Sequence, residues 1–177
     1  MEVRVSPAYL IAQATSWSAR VPRASFRPQA PLLKLSDPAR QAMTDFLRDP
    51  PLTVDESCSV EQAMDQMFAS GVRCLLVVRD LQVMGLISAA QAACVRPYHR
   101  CIADSMTPTE ELPAIDWDTL EDARVADLLE IFEGTGVEQL VVLESHSATL
   151  TSVRGLVHRA RLRRQLGSSW SLQSGLM

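Results

Sequence analysis

Two stretches of this 177-residue chain are written to one plan. Ser59–Gln91 and Arg124–Arg161 each read as a helix with an apolar stripe, a Gly-Val turn, an apolar strand, a connection, and a second strand carrying Gly-Leu. Shifted by 65 positions, Val60, Ala63, Met67, Gly71, Val72, Leu75 and Val77 fall on Val125, Leu128, Phe132, Gly136, Val137, Leu140 and Val142. The shift grows to 70 at Gly85 and Gly155, so the second copy has five extra residues between its strands. Internal repetition over such a length outranks any single motif as a guide to architecture. The chain should fold as a two-copy module with a pseudo-twofold relation.

Local signals place the elements. Ser36-Asp37-Pro38 reads as a helix start, and Ala39, Ala42, Met43, Phe46 and Leu47 then fall on one face, until Asp49-Pro50-Pro51 ends the helix. Leu52-Thr53-Val54 follows as a short extended piece. Ser59 with Gln62 three residues on makes a capping-box pattern, and Gly71 stands where a left-handed helix ending is wanted. Cys74–Val78 is apolar throughout, which predicts a strand covered on both faces. Asp80-Leu81-Gln82 predicts a tight antiparallel return into Val83–Ile87, with the strand before the helix joined by a crossover. Ser88–Cys94 closes the first copy as a helix. In the second copy Ala114-Ile115-Asp116 opens, a helix covers Arg124–Glu133, strands cover Leu140–Leu143 and Val153–Val157, and Arg159–Leu166 forms a basic closing helix. The expected fold class is α/β (α+β): two β-α-β-β-α repeats packed through small mixed sheets. The expected divisions are a flexible Arg/Pro-rich arm over 1–35, a first repeat with its preceding helix over 36–98, a linker and second repeat over 99–167, and a flexible tail over 168–177.

Composition bounds the function. With 47% apolar and 21% charged residues the chain has the balance of a packed globular protein. No apolar run approaches bilayer-spanning length, and Ala8–Ala12 is too short for a secretory core, so a cytoplasmic location without membrane contact is expected. Residues 1–36 carry five basic side chains against Glu2, a net +4, leaving −8 for the rest of a chain whose total is −4. An acidic folded part argues against a nucleic-acid partner. Four cysteines form no CxxC pair and are expected to be reduced. Cys94, His99 and Cys101 lie close in sequence but match no closed zinc site. There is no Gly-rich phosphate loop and no recognisable Ser-His-Asp context, so catalysis finds no support.

The element order, the Gly-Val turns, Gly85-Leu86-Ile87-Ser88, Gly155-Leu156-Val157-His158 and the intervening Asp104-Ser105-Met106-Thr107 resemble a tandem pair of CBS (cystathionine β-synthase-type) domains, the Bateman module. The resemblance covers Ala42 to Gly167 and looks like a stand-alone bacterial subgroup. It implies two domains packed through their sheets, clefts between them that hold adenosine-type nucleotides, and assembly as a homodimer. AMP, ADP, ATP, S-adenosylmethionine or a cyclic dinucleotide are the implied regulatory ligands, with no tightly required cofactor and an unknown protein target.

The implied signature is Gly-h-h-Thr/Ser-x-x-Asp, in which a hydroxyl meets phosphate and a carboxylate takes the ribose hydroxyls. This chain departs from it twice. In the first copy Ser88 keeps the hydroxyl but Gln91 replaces the acid. In the second, His158 replaces the hydroxyl and Arg161, which cannot accept a hydrogen bond, replaces the acid. Arg161, with Arg159, Arg163 and Arg164 nearby, could hold phosphate instead. Thr53, Val54 and Ile115 would border an adenine and are also sheet core. Arg73 is either a phosphate contact or a surface charge. Ser88 and Gln91 suit either ligand contact or a helix cap, and His158 and Arg161 either an anion site or a solvated basic face. The expected function is a regulatory small-molecule-sensing module, the alternative a ligand-free dimeric scaffold with degenerated sites.

Overall fold

The computed structural model describes residues 9–10, 31–80, 82–96, 100–147 and 150–167. In chain order the elements are β1 (Tyr9–Leu10), a 3-10 turn at Ala39–Ala42, β2 (Thr44–Asp45), β3 (Thr53–Asp55), α1 (Val60–Ser70), β4 (Cys74–Arg79), β5 (Gln82–Ser88) and α2 (Ala89–Cys94). A 3-10 turn at Ile102–Asp104, β6 (Thr107–Pro108), a 3-10 turn at Thr109–Glu111, β7 (Ala114–Asp116), α3 (Trp117–Asp122), α4 (Val125–Thr135), β8 (Gln139–Ser145), β9 (Thr151–His158) and α5 (Arg159–Leu166) complete them.

Both copies follow the expected order. β3 runs parallel to β4 and β4 antiparallel to β5; β7, β8 and β9 repeat this pairing. Each hairpin shifts register at one place, between Val77 and Val78 in the first copy and between Val142 and Leu143 in the second. The backbone of β1 lies between β5 and β9 and joins the two small mixed sheets edge to edge.

Local chemistry sets the helix ends. Ser59 and Gln62 close a reciprocal capping box on α1. Gly71 and Gly136 end α1 and α4 at φ 64° and 71°, a region that costs a side-chain-bearing residue strain. α4 buries Val125, Leu128, Leu129 and Phe132, the stripe expected from its period.

Three apolar clusters form the core. Leu75, Val77 and Ile87 pack under α1 and α2 with Val54, Val60, Ala63, Met67 and Ile102. Leu140, Val142 and Val157 pack under α3, α4 and α5 with Ile115, Leu120 and Phe132. The opposite sheet faces meet through Leu76, Val83, Leu86, Leu112, Val141, Leu143, Val153 and Leu156. Strands covered on both sides in this way account for the unbroken apolar runs.

The segment ahead of the first copy does not fold as its local pattern predicts. The helix expected over Ala39–Leu47 is a single 3-10 turn that gives way to a strand, and it packs on the second copy rather than the first. Thr44 and Asp45 pair antiparallel with Leu156 and Gly155, Ala39 N–H donates to Ala123 O, and Phe46 N–H donates to Arg154 O. Strand pairing and burial of Ala39, Ala42 and Met43 prevail over a local helical period of barely two turns. The linker behaves reciprocally: Ile102 is buried in the first copy, and Thr107 and Pro108 pair with Leu86 and Gly85. Each copy is therefore completed by the segment that precedes the other.

The arm expected over 1–35 falls mostly outside the described residues. Its end does not: Leu33 is buried in the second copy, and its N–H donates to Gln165 O. The tail expected over 168–177 lies outside the described residues altogether.

The two exchanged segments cross the sheets at glycines. A Cβ on Gly85 would lie 2.4 Å from Thr107 O, and one on Gly155 would lie 2.4 Å from Thr44 O. Both obstacles are backbone, so the segment itself must move. Gly85→Ala and Gly155→Ala are each expected to destabilise the protein by about 1–3 kcal/mol. Gly134 lies inside α4 with nothing within 4 Å of its Cβ position, so Gly134→Ala should stabilise by about 0.5–1 kcal/mol. Urea midpoints of the three variants check the contrast.

Candidate functional site

At the seam between the copies lies a partly open cavity of about 230 Å³. Phe46, Pro50, Pro51 and Leu52 wall it from the segment between β2 and β3, Val72, Arg73 and Cys74 from the turn after α1, and His158, Arg161 and Arg164 from the end of β9 and the first turns of α5. The lining includes three guanidinium groups and one carboxylate, that of Asp49.

Of the residues singled out in the sequence, this cavity brings Arg73, His158 and Arg161 together. Arg73 is exposed at the rim. His158 is the last residue of β9; its Nε2 stands 3.5 Å from Cys74 Sγ of the first copy. Burial pushes the His158 pKa below its ordinary value, and the charges of Arg161 and Arg164 push it the same way. Burial pushes the Cys74 thiol up to about 11, so at neutral pH the pair is a neutral imidazole beside a neutral thiol. Arg161 Nη1 donates to Thr44 Oγ1, fastening α5 to the exchanged strand β2.

The other candidates lie elsewhere. Ser88 and Gln91 form a capping box on α2: Gln91 N–H donates to Ser88 Oγ at 3.2 Å, and Gln91 Oε1 accepts from Ser88 N–H at 2.9 Å. Gln91 Nε2 also donates to Thr107 Oγ1 at 2.5 Å, the counterpart of the Arg161–Thr44 contact. Val54 is buried in the first core and Ile115 in the second. Thr53 is half-buried on β3, its carbonyl accepting from Gln66 Nε2 at 3.0 Å. None of these five lines the seam cavity. Arg159 faces Glu138, with Nη1 3.6 Å from Oε1.

Thr44 was missed as the partner of Arg161. A signal for Thr44 was present: Met43-Thr44 and Met106-Thr107 recur just ahead of the two copies. Arg154 also anchors the exchanged strand. It bonds Asp45 and Glu144 at 3.0 Å each and lies 4.4 Å from the centroid of Trp117. Burial alone would raise the Asp45 pKa, but the bonds from Arg154 and Leu47 N–H outweigh it and hold the carboxyl low.

Among the described residues no group of three or more His, Cys, Asp and Glu side chains is placed to hold a metal ion; His99 lies outside them. Among those residues, too, no helix is long and apolar enough to cross a membrane.

Comparison with known proteins bears on this geometry. Residues 40–92 match the CBS domain family. No curated protein matches the sequence. Among solved structures, an uncharacterised conserved protein from Pyrococcus horikoshii superposes with a TM-score of 0.58 at 19% identity, over 75% of this chain and 93% of that one. The CBS domain of a bacterial CNNM/CorC family Mg2+ transporter superposes at 0.56 and 16% identity, over 75% and 76%. CBSX2 in complex with AMP superposes at 0.55 and 18%, over 77% and 98%. Residues 40–92 thus resemble the CBS domain family in sequence, and the chain shares its fold with these CBS-domain structures.

A depressed His158 pKa has a stability consequence. Below about pH 6.5 the unfolded chain binds a proton at this imidazole that the folded chain resists, so stability is full above that value and declines as pH falls through it. His158→Gln is expected to flatten the pH dependence of the urea midpoint between pH 7 and 5. Iodoacetamide at pH 8 should modify exposed Cys94 well before Cys74.

Proposed function

We propose that this chain is a regulatory module that senses an adenosine-type nucleotide or a similar anionic ligand in the seam between its two repeats. One observation carries the reading: residues from both copies converge on a cavity with three guanidinium groups, one carboxylate and an apolar wall. Such a mixture suits a ligand with an apolar body and a charged end. The fold is shared with CBSX2, solved with AMP, and with the CNNM/CorC transporter domain, solved with ATP, which favours a nucleotide. Because opposite walls belong to different repeats, a ligand that draws them together biases their relative placement, and that differential contact is what regulation requires. Action as a cytoplasmic homodimer on a protein target belongs to the same proposal. Phe68, 92% exposed on the outer face of α1, offers an apolar contact for a second copy.

A specific observation favours a second reading, a scaffold without ligand. Ser88 and Gln91 are engaged in a helix cap and a contact to Thr107.

Calorimetric titration of the full chain with AMP, ADP and ATP separates the two. The sensor reading predicts binding of at least one of them, and a thermal midpoint that rises with its concentration, by about 2.7 kcal/mol of stability at a hundred times Kd. Heat-silent titrations with a folded protein, and no ligand released on denaturing the purified protein, favour the scaffold.

A further inference from the structure

The two repeats place the same contact at equivalent positions, neutral in one and cationic in the other. In each, the residue three beyond the last strand reaches the threonine of the exchanged segment. In the first copy it is the neutral amide of Gln91 on Thr107; in the second it is the guanidinium of Arg161 on Thr44. The scaffold is held in either case, so the tie to threonine does not by itself call for a cation. What distinguishes the second copy is the cavity beside it. Arg164 follows one turn further along α5, and Arg73 lines the same cavity from the other repeat, with Asp49 the one acidic residue in the lining. Arginines contributed by both repeats to one cavity give it a positive character that is complementary to an arriving dianion. A sugar diol offers no charge to offset it. Guanidinium forks match phosphate oxygens with paired, charge-assisted hydrogen bonds. Opposite them, Phe46, Pro50, Pro51 and Leu52 present an apolar surface for the body of the ligand.

Resting on the reading of the seam as a ligand site, we infer that its ligand is a phosphate monoester whose phosphate, not its sugar, sits on Arg161, flanked by Arg73 and Arg164. This is the reverse of what the resemblance implies for that position, where a carboxylate takes ribose hydroxyls. His158 then acts as a proton-linked partner. The groups facing it are Cys74 from β4, and Arg161 and Arg164 from α5, with Arg73, Thr44 and Asp49 lining the same cavity. A phosphate seated there supplies the negative charge that favours an imidazolium, so binding takes up a proton and tightens as pH falls from 8 towards 6.5.

The test is competition calorimetry on the full chain with AMP, adenosine and inorganic phosphate. AMP should bind at least about tenfold more tightly than adenosine, in line with the strength of hydrogen bonds to charged groups. It should also bind more tightly than inorganic phosphate, which lacks the apolar body. Arg161→Gln should weaken AMP about tenfold or more and leave adenosine unchanged. Arg73→Gln, at an exposed rim position, should weaken AMP in the same sense and covers the case in which the Arg161 variant misfolds. Titrations in two buffers of different ionisation heat should reveal proton uptake with AMP at pH 7 that His158→Gln abolishes. Adenosine binding as tightly as AMP, or AMP affinity indifferent to both arginines, overturns the inference while leaving the seam a ligand site. Inorganic phosphate binding as tightly as AMP overturns the monoester and assigns the site to free phosphate. Absence of binding by all three overturns the ligand-site reading itself.

Discussion

The structure turns on a close crossing of backbones made twice. Thr44–Asp45 lies over Gly155, and Thr107–Pro108 lies over Gly85, each at a distance that leaves no room for a Cβ. Methionine sulfur seals each crossing, Met43 over Gly155 and Met106 over Gly85. Because every exchanged segment belongs by sequence to the other repeat, neither repeat has a complete core without its neighbour. The seam follows from this exchange. The chain leaving β2 must pass Asp49, Pro50 and Pro51 on its way to β3, and that passage forms one wall of the cavity.

The repeats themselves were legible because they rest on local rules. Capping serines, glycines at left-handed helix ends and unbroken apolar strands all depend on residues close in sequence, and Gly71, Gly136 and Ser59 do what such residues do. The exchanged segments were not legible. Ala39, Ala42, Met43 and Phe46 have a helical period, and only pairing with Leu156, more than a hundred positions away, makes the chain extended. Short α3 was missed for a related reason. It is six residues long and buries Leu120 alone, too little to show a period. Among candidate site residues, Arg73, His158 and Arg161 stand at the ends of repeated elements, which is why the fold brings them to one cavity. Thr44 was hidden by the wrong element assignment, although the recurring Met-Thr pair marked it.

The two halves have diverged in charge more than in shape. Ser88, Gln91 and Thr107 form a neutral, internally satisfied set, while His158, Arg161 and Thr44 occupy the same places around a cationic cavity. Arg154, stacked on Trp117, holds the exchanged strand through its ion pair with Asp45, whose carboxyl it helps to keep ionised. The strand that lines the seam is therefore fixed by an ion pair at Asp45 and presented to the ligand at Thr44.

If the exchange of segments is what makes the two repeats one molecule, they must open together. Native-state amide hydrogen exchange reads this directly on Leu75–Val77 in β4 and Leu140–Val142 in β8, buried strands of the first and second repeat. The account predicts one opening free energy and one denaturant dependence for both sets, equal to those of global unfolding. A sub-global opening that exposes the amides of one repeat while the other stays protected would contradict it.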